Sequence, residues 1–213
     1  LIGMNTFSIQ EKNWGYRFVE KSAIDLNKYS STTDIGIGYS KSLIDNLNMS
    51  LQITNGEGYK KSQGDKFHKI SFNTTFGEQE LSINDGYNAG IVYSTEETES
   101  KPTNMISAFG GFSGMGLRIG AEYDILTKGN AESNIISISA NYDVMDNINA
   151  FVRYDISDDN DSENKNGNNY LIAGIILNCG SGLSVAPNVR ITIYEDTNKE
   201  ISNEYKLNFQ FKF

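Results

Sequence analysis

Charged side chains recur at alternate positions of otherwise apolar segments: Arg118 and Glu122, then Asp143, then Arg153 and Asp155, then Arg190, then Glu204 and Lys206. Asp34 and Lys69 hold the same phase in their own segments. In a strand, residues two apart share a face, so one face collects charge and the other collects aliphatic and aromatic groups. Rings of charge around a wet passage select ions electrostatically. Arg153, Arg190 and Lys206 sit about five residues from one end of their segments, near mid-height. There they are expected to favour anions against acidic outer loops, because charges at a narrow point act at short range. The alternative is that Asp143, Asp155 and Glu204 neutralise them as ion-paired wall residues.

Other chemistries find little support. A hydrolase needs a base beside a nucleophile, and His68, the one histidine, is followed by Lys69 with no serine two residues on. The chain is therefore not expected to be an enzyme. Cys179, the one cysteine, lies in Asn178-Cys179-Gly180-Ser181-Gly182 and reads as a small turn residue. Asp155, Asp158, Asp159, Asp161 and Glu163 resemble a calcium loop. However, Asn164 stands where the turn glycine belongs and no Glu closes the loop. A solvated loop, bridged to lipopolysaccharide phosphates by divalent ions, fits better, and no metal or cofactor is expected. A net charge of -9 argues against nucleic acid.

The elements that position the charged face are strands. Apolar residues make up 38% of the 213-residue chain, and the longest apolar runs fall far short of the ~20 residues of a membrane helix. Gly, Tyr and Phe are frequent and Pro is rare, which suits strands and turns. Alternating runs occupy residues 34–40, 47–53, 70–76, 81–93, 105–112, 115–125, 136–144, 148–156, 171–177, 183–193 and 204–213. They make about eleven strands and a partial one at Leu1-Ile2-Gly3-Met4. The run 105–112 alternates less cleanly, and 171–177 is apolar on both faces.

The connections alternate in length. Short turns are expected at 44–46, 77–80, 113–114, 145–147 and 178–182, and longer polar loops at 5–31, 55–66, 95–103, 128–133, 157–169 and 195–200. A soluble sandwich has no reason to alternate in this way. An outer-membrane barrel has tight turns on one rim and longer loops on the other. The expected fold is all-β, an antiparallel transmembrane β-barrel forming one domain over residues 1–213. It is either closed with about twelve strands or an arc that lacks N-terminal strands and leaves an edge unpaired. Charge on a lipid face costs ~2–4 kcal/mol at the midplane, so the polar phase faces the lumen. The pore-lining set is then Asp34, Lys69, Arg118, Glu122, Arg153, Asp155, Arg190 and Lys206. Aromatic belts are expected, with Phe67, Tyr93, Tyr123, Tyr154 and Tyr205 at one rim and Phe76, Phe112, Tyr142, Phe211 and Phe213 at the other.

The final strand, Lys206-Leu207-Asn208-Phe209-Gln210-Phe211-Lys212-Phe213, resembles the C-terminal signature of bacterial outer-membrane barrels. Near the other end, Glu11-Lys12-Asn13-Trp14-Gly15-Tyr16-Arg17-Phe18-Val19-Glu20-Lys21, Thr33-Asp34-Ile35-Gly36-Ile37-Gly38 and Asn55-Gly56-Glu57-Gly58-Tyr59-Lys60 resemble a stretch of bacterial porins. The class is the broad one that includes the phosphate-selective porins O and P, and the chain looks like its C-terminal portion. The resemblance implies passive diffusion of small hydrophilic or charged solutes, with a structural or adhesion barrel lacking an open channel as the alternative. It implies outer-membrane lipid and lipopolysaccharide as partners, small solutes or ions as cargo, and a homotrimer as one assembly open to it. It also implies that residues 5–31 either fold into the lumen or pack on the rim. In the first case Glu11, Lys12, Trp14, Arg17, Glu20 and Lys21 would constrict the pore.

Overall fold

The computed structural model describes residues 1–98, 101–160 and 165–213. Eleven of its strands form one antiparallel sheet in strict chain order: β3 (Gly36–Ile44), β4 (Leu47–Thr54), β5 (Lys69–Gly77), β6 (Gly86–Glu96), β7 (Thr103–Gly114), β8 (Leu117–Lys128), β9 (Ala131–Met145), β10 (Ile148–Asp158), β11 (Asn168–Gly180), β12 (Leu183–Tyr194) and β13 (Ser202–Phe211). Strands of about ten residues tilted across a bilayer suffice to span it. Before them come β1 (Ile2–Gly3), α1 (Ser8–Trp14), α2 (Ala23–Leu26) and β2 (Thr33–Asp34), with β1 and β2 paired apart from the main sheet. The sheet's edges, β3 and β13, are exposed along almost their whole length.

Register keeps the alternating phase on one side. Thr75, Asn73, Ser71 and Lys69 of β5 point inward and are buried, while Ile70 and Phe76 in the opposite phase are exposed. The same holds on β10, where Phe151, Arg153, Asp155 and Ser157 are buried and Val152, Tyr154 and Ile156 are exposed. The outer face thus presents Ile, Val, Leu and aromatic side chains, which only a hydrocarbon surrounding stabilises over so large an area. Of the expected belt residues, Tyr93, Tyr123, Tyr154 and Tyr205 are exposed towards one rim and Phe76, Phe112, Tyr142, Phe211 and Phe213 towards the other.

Three expectations about segments need correction. Gly86 starts β6, so Leu81 and Ile83 lie in the connection before it, with Leu81 buried inward and Ile83 exposed. That connection, residues 78–85, breaks the run of short turns at its rim. Conversely, the expected loop at 128–133 shrinks to Gly129-Asn130, because β9 extends to 15 residues. Finally, Asp34 is not on the barrel wall. Its carboxylate accepts from the backbone N–H of Ile35 at 2.8 Å and Gly56 at 2.6 Å, tying β2 to the start of the sheet.

Candidate pore and the segment that fills it

Residues 4–34 run inside the sheet, not on its rim. Their apolar residues explain the inward positions where the polar phase fails. Met4, Phe7, Ile9, Ala23, Ile24 and Tyr29 pack against Val92, Met105, Phe109, Leu126 and Ile135 of the wall. Trp14 and Val19 pack against Phe151, Ile172, Ile176 and Ala186. The segment 171–177 is apolar on both faces for this reason: one face meets lipid and the other meets Trp14 and Val19. The rule that polar residues mark the lumen therefore fails where the wall meets an apolar side chain of the segment.

Two glycines let α1 lie close. Gly15 ends the helix in the left-handed region at φ 79°, its N–H reaching the Glu11 carbonyl at 2.7 Å. A Cβ there would also stand 2.4 Å from an Arg118 guanidinium nitrogen. On the wall, a Cβ at Gly120 would stand 3.2 Å from the Asn13 Cβ. Asn13 and Asn88 exchange reciprocal amide hydrogen bonds at 2.9 Å, which fixes α1 against β6.

The inward arginines hold this segment by its backbone. Arg153 donates to the Lys21 carbonyl at 2.6 Å, pairs with Asp155 at 3.0 Å and stacks over Trp14 at 5.0 Å. Arg190 donates to the Val19 carbonyl at 2.6 Å and pairs with Glu20, whose carboxylate also accepts from the Tyr170 hydroxyl at 3.0 Å. Arg118 donates to the Trp14 carbonyl at 3.2 Å and covers the Tyr16 ring at 5.1 Å. Asn141 reaches the same carbonyl at 3.3 Å, and Asn208 reaches that of Phe18 at 3.1 Å. Non-helical backbone at membrane depth needs such partners, since no bulk water is there to supply them.

Arg153 and Arg190 therefore do not form the free mid-height ring expected of them, because each is buried, carboxylate-paired and committed to the segment. Glu122 faces inward beneath the segment, beside Asp124 and Asp155. Lys206 points inward on the exposed edge β13, paired with Glu204 at 2.5 Å. Lys69 faces a cavity at the long-loop rim. Within the segment, Arg17 pairs with Glu11 and with Asp25 at 3.0 Å and Lys21 pairs with Asp25 at 2.9 Å, while Lys12 reaches out to pair with Glu80 in the connection before β6. Burial would push the Asp25 carboxyl up, but its bonds from Lys21, Arg17 and Thr32 outweigh that and hold it below the ordinary range.

Asn5, which no motif singles out, is the centre of a further anchor. Its N–H donates to Gln52 at 2.9 Å, its side-chain oxygen accepts from Ser71 at 2.7 Å, and its carbonyl accepts from Asn73 at 2.9 Å. The signal available was the run of small amides and hydroxyls in the inward phase of β4 and β5. Of the acidic run, Asp155 is engaged by Arg153 and Ser137, and Asp158 accepts from the Asn160 N–H at 3.0 Å. Asp161, Glu163 and Asn164 lie outside the described residues. His68 is exposed at the long-loop end of β5, and Cys179 is exposed near the short-turn end of β11.

Open volume remains on both sides of the segment. A cavity of about 440 Å³ at the short-turn rim meets Tyr16, Phe18, Arg118 and Asp143. Another of about 550 Å³ at the long-loop rim meets Lys69 and its neighbours. Between them, Gln10, Ser22, Glu122 and Arg153 surround a space of only about 10 Å³.

No protein-family model matches the chain, and no curated protein matches it in sequence. Solved structures do match. Outer-membrane expressed OmpT of Vibrio cholerae aligns with a TM-score of 0.56 at 10% identity, over 83% of this chain and 64% of that one. The KdgM porin aligns with a TM-score of 0.43 at 9% identity, over 84% of this chain and 91% of that one. The KdgM porin in complex with disordered oligogalacturonate gives a TM-score of 0.43 at 10% identity, with the same coverage. The chain spans somewhat under two thirds of the OmpT structure, and the sheet it shares with that structure has the fold of a bacterial outer-membrane β-barrel.

Proposed function

We propose that this chain is the wall and inner constriction of an outer-membrane pore for passive diffusion of small hydrophilic or charged solutes. The observation that carries this reading is the uneven filling of the inward face. The apolar side chains of residues 4–34 pack dry against β6 to β12, while the inward side chains of Ser40 and Ser42 on β3 and of Glu204 and Lys206 on β13 stay exposed, as does most of each of these two edge strands. A polar strip left uncovered beside a packed segment is what a narrowed hydrated passage needs. Three of the inward charged groups, Arg118, Arg153 and Arg190, are spent on holding the segment, which supports a structural role for them over a catalytic one. Long loops would face the exterior, and the short turns and Phe213 the periplasm. Lipid would surround the apolar face, lipopolysaccharide would meet the long-loop rim, and a homotrimer is one assembly open to it. The narrower kinship with phosphate-selective porins has only the sequence stretches within residues 1–60 in its favour.

The alternative, a barrel without an open channel, draws support from the near-absence of space between Gln10 and Glu122. Planar-bilayer recording of the folded full-length protein in asymmetric KCl decides between the two. Discrete conductance steps are expected. Their absence, with folding shown by heat-modifiable gel mobility, would leave the closed barrel.

A further inference from the structure

The cavity at the long-loop rim gathers Lys21, Lys28, Lys60, Lys61, Lys69 and Lys128 around it, against the carboxylates of Asp25, Glu57 and Glu96. Six lysines and three carboxylates line it, a surplus of three positive charges in a chain of net charge -9, with Asp34 and Asp65 in electrostatic reach of Glu96 at its edge. A cleft with walls of low dielectric focuses such a field and raises the local concentration of counter-ions.

Lys69 is the group that the fold leaves unexplained. It is only 8% exposed. Glu96 and Asp34 attract it through space. Among the described residues, however, no carboxylate is in ion-pair contact with it, and the Asp34 oxygens are taken by the N–H groups of Ile35 and Gly56. The Lys69 stem is buried while its ammonium opens on the cavity, where an anion would supply the contact partner it lacks. Lys60 and Lys61 come from the loop between β4 and β5, Lys128 from the end of β8, and Lys21 and Lys28 from the inner segment, so the pocket exists only in the assembled barrel.

From this juxtaposition we infer that the cavity is a docking site for an organic anion carrying several carboxylates, taken from the exterior before permeation. The inference rests on the pore reading and gives it a solute class. The volume of about 550 Å³ is that of a small-molecule site and exceeds what a simple inorganic ion fills. Lysines are strongly hydrated point charges on flexible stems, which suits several separate carboxylates better than one planar, two-pronged group. The preference for anions expected of mid-height arginines would thus arise at the mouth, from residues that the alternating pattern does not single out.

Isothermal titration of the folded full-length protein in detergent with tricarballylate, a tricarboxylate, tests it. Saturable binding at low salt is expected, weakened at least tenfold in 0.3 M KCl and at least tenfold in the triple variant K60Q/K61Q/K128Q, whose changed side chains are exposed. Lys69→Met, checked for folding by gel mobility, is expected to weaken binding by a similar factor. Binding unchanged in the triple variant and in high salt would overturn the proposal, as would no binding at all. Equal affinity for inorganic sulfate would overturn the organic class. Bilayer conductance recorded in parallel separates the two readings. Binding without conductance rejects the pore and keeps the site, whereas conductance without binding rejects the site and keeps the pore.

Discussion

Arg190→Met should release the inner segment by a calculable amount. The side chains of Arg190 and Glu20 are 9% and 11% exposed, so their pair is largely out of water. Removing one member of a buried pair costs ~3–5 kcal/mol, mostly from the charge left behind. Glu20 would keep the Tyr170 hydroxyl at 3.0 Å, and the Val19 carbonyl would keep a weak donor in Asn208 at 3.4 Å, which argues for the lower end. About 3 kcal/mol at 1.4 kcal/mol per tenfold is roughly a hundredfold rise in the unseated population. Cleavage of the Val19–Lys21 stretch by added protease should accelerate by that factor while opening stays fast relative to cutting. Mean single-channel conductance should rise as the lumen clears. The double variant E20Q/R190M should lose less than the two single variants combined, because the pair is coupled. Unchanged proteolysis and unchanged conductance in Arg190→Met would refute the view that wall arginines clamp the segment.

Other outcomes follow from the same geometry. Gly120→Val would drive β-branched atoms into the Asn13 Cβ, already 3.2 Å from the first added carbon, and should expose α1 to proteolysis while the strands stay protected. Asp25 has a folded pKa below its unfolded one, so its contribution is complete above the ordinary Asp value of about 3.9 and fades as pH falls through the lowered value. Protease protection of residues 17–32 should therefore hold from pH 7 to about pH 5 and weaken only below about pH 4; weakening already at pH 6 would contradict this. Cys179 is exposed near the short-turn rim, so an impermeant maleimide should label it only after the outer membrane is breached. Labelling on intact cells would invert the topology. Ile138→Arg, in the middle of the lipid phase of β9, should cost ~2–4 kcal/mol of barrel stability in urea titrations in lipid vesicles, and the exposed inward Ser42→Arg much less.

Much of this architecture follows from local rules that the chain obeys residue by residue. Alternation of Ile70, Phe72 and Phe76 with Ser71, Asn73 and Thr75 fixes both faces of β5, because a slip of one residue would put every polar group into lipid. Two-residue connections such as Asp45-Asn46 and Asp146-Asn147 then oblige neighbours in sequence to be neighbours in the sheet. The porin-like stretches hinted that residues 5–31 could enter the lumen, without saying how they are held there. That answer depends on groups far apart in the chain: Arg118, Arg153 and Arg190 meet carbonyls 104, 132 and 171 residues away. An arginine in the inward phase has the same sequence pattern whether it lines water or grips a backbone, because alternation reports which face a side chain takes and nothing about what lies opposite. The apolar residues Met105, Phe109, Ile172 and Ile176 contradict that alternation, and their inward position makes sense only against Phe7, Trp14 and Val19. Sequence alone thus determined the wall and its lipid face, since both arise from period and turn length. Only the tertiary structure decided which inward charges stay wet, since that depends on where the first thirty-odd residues come to rest.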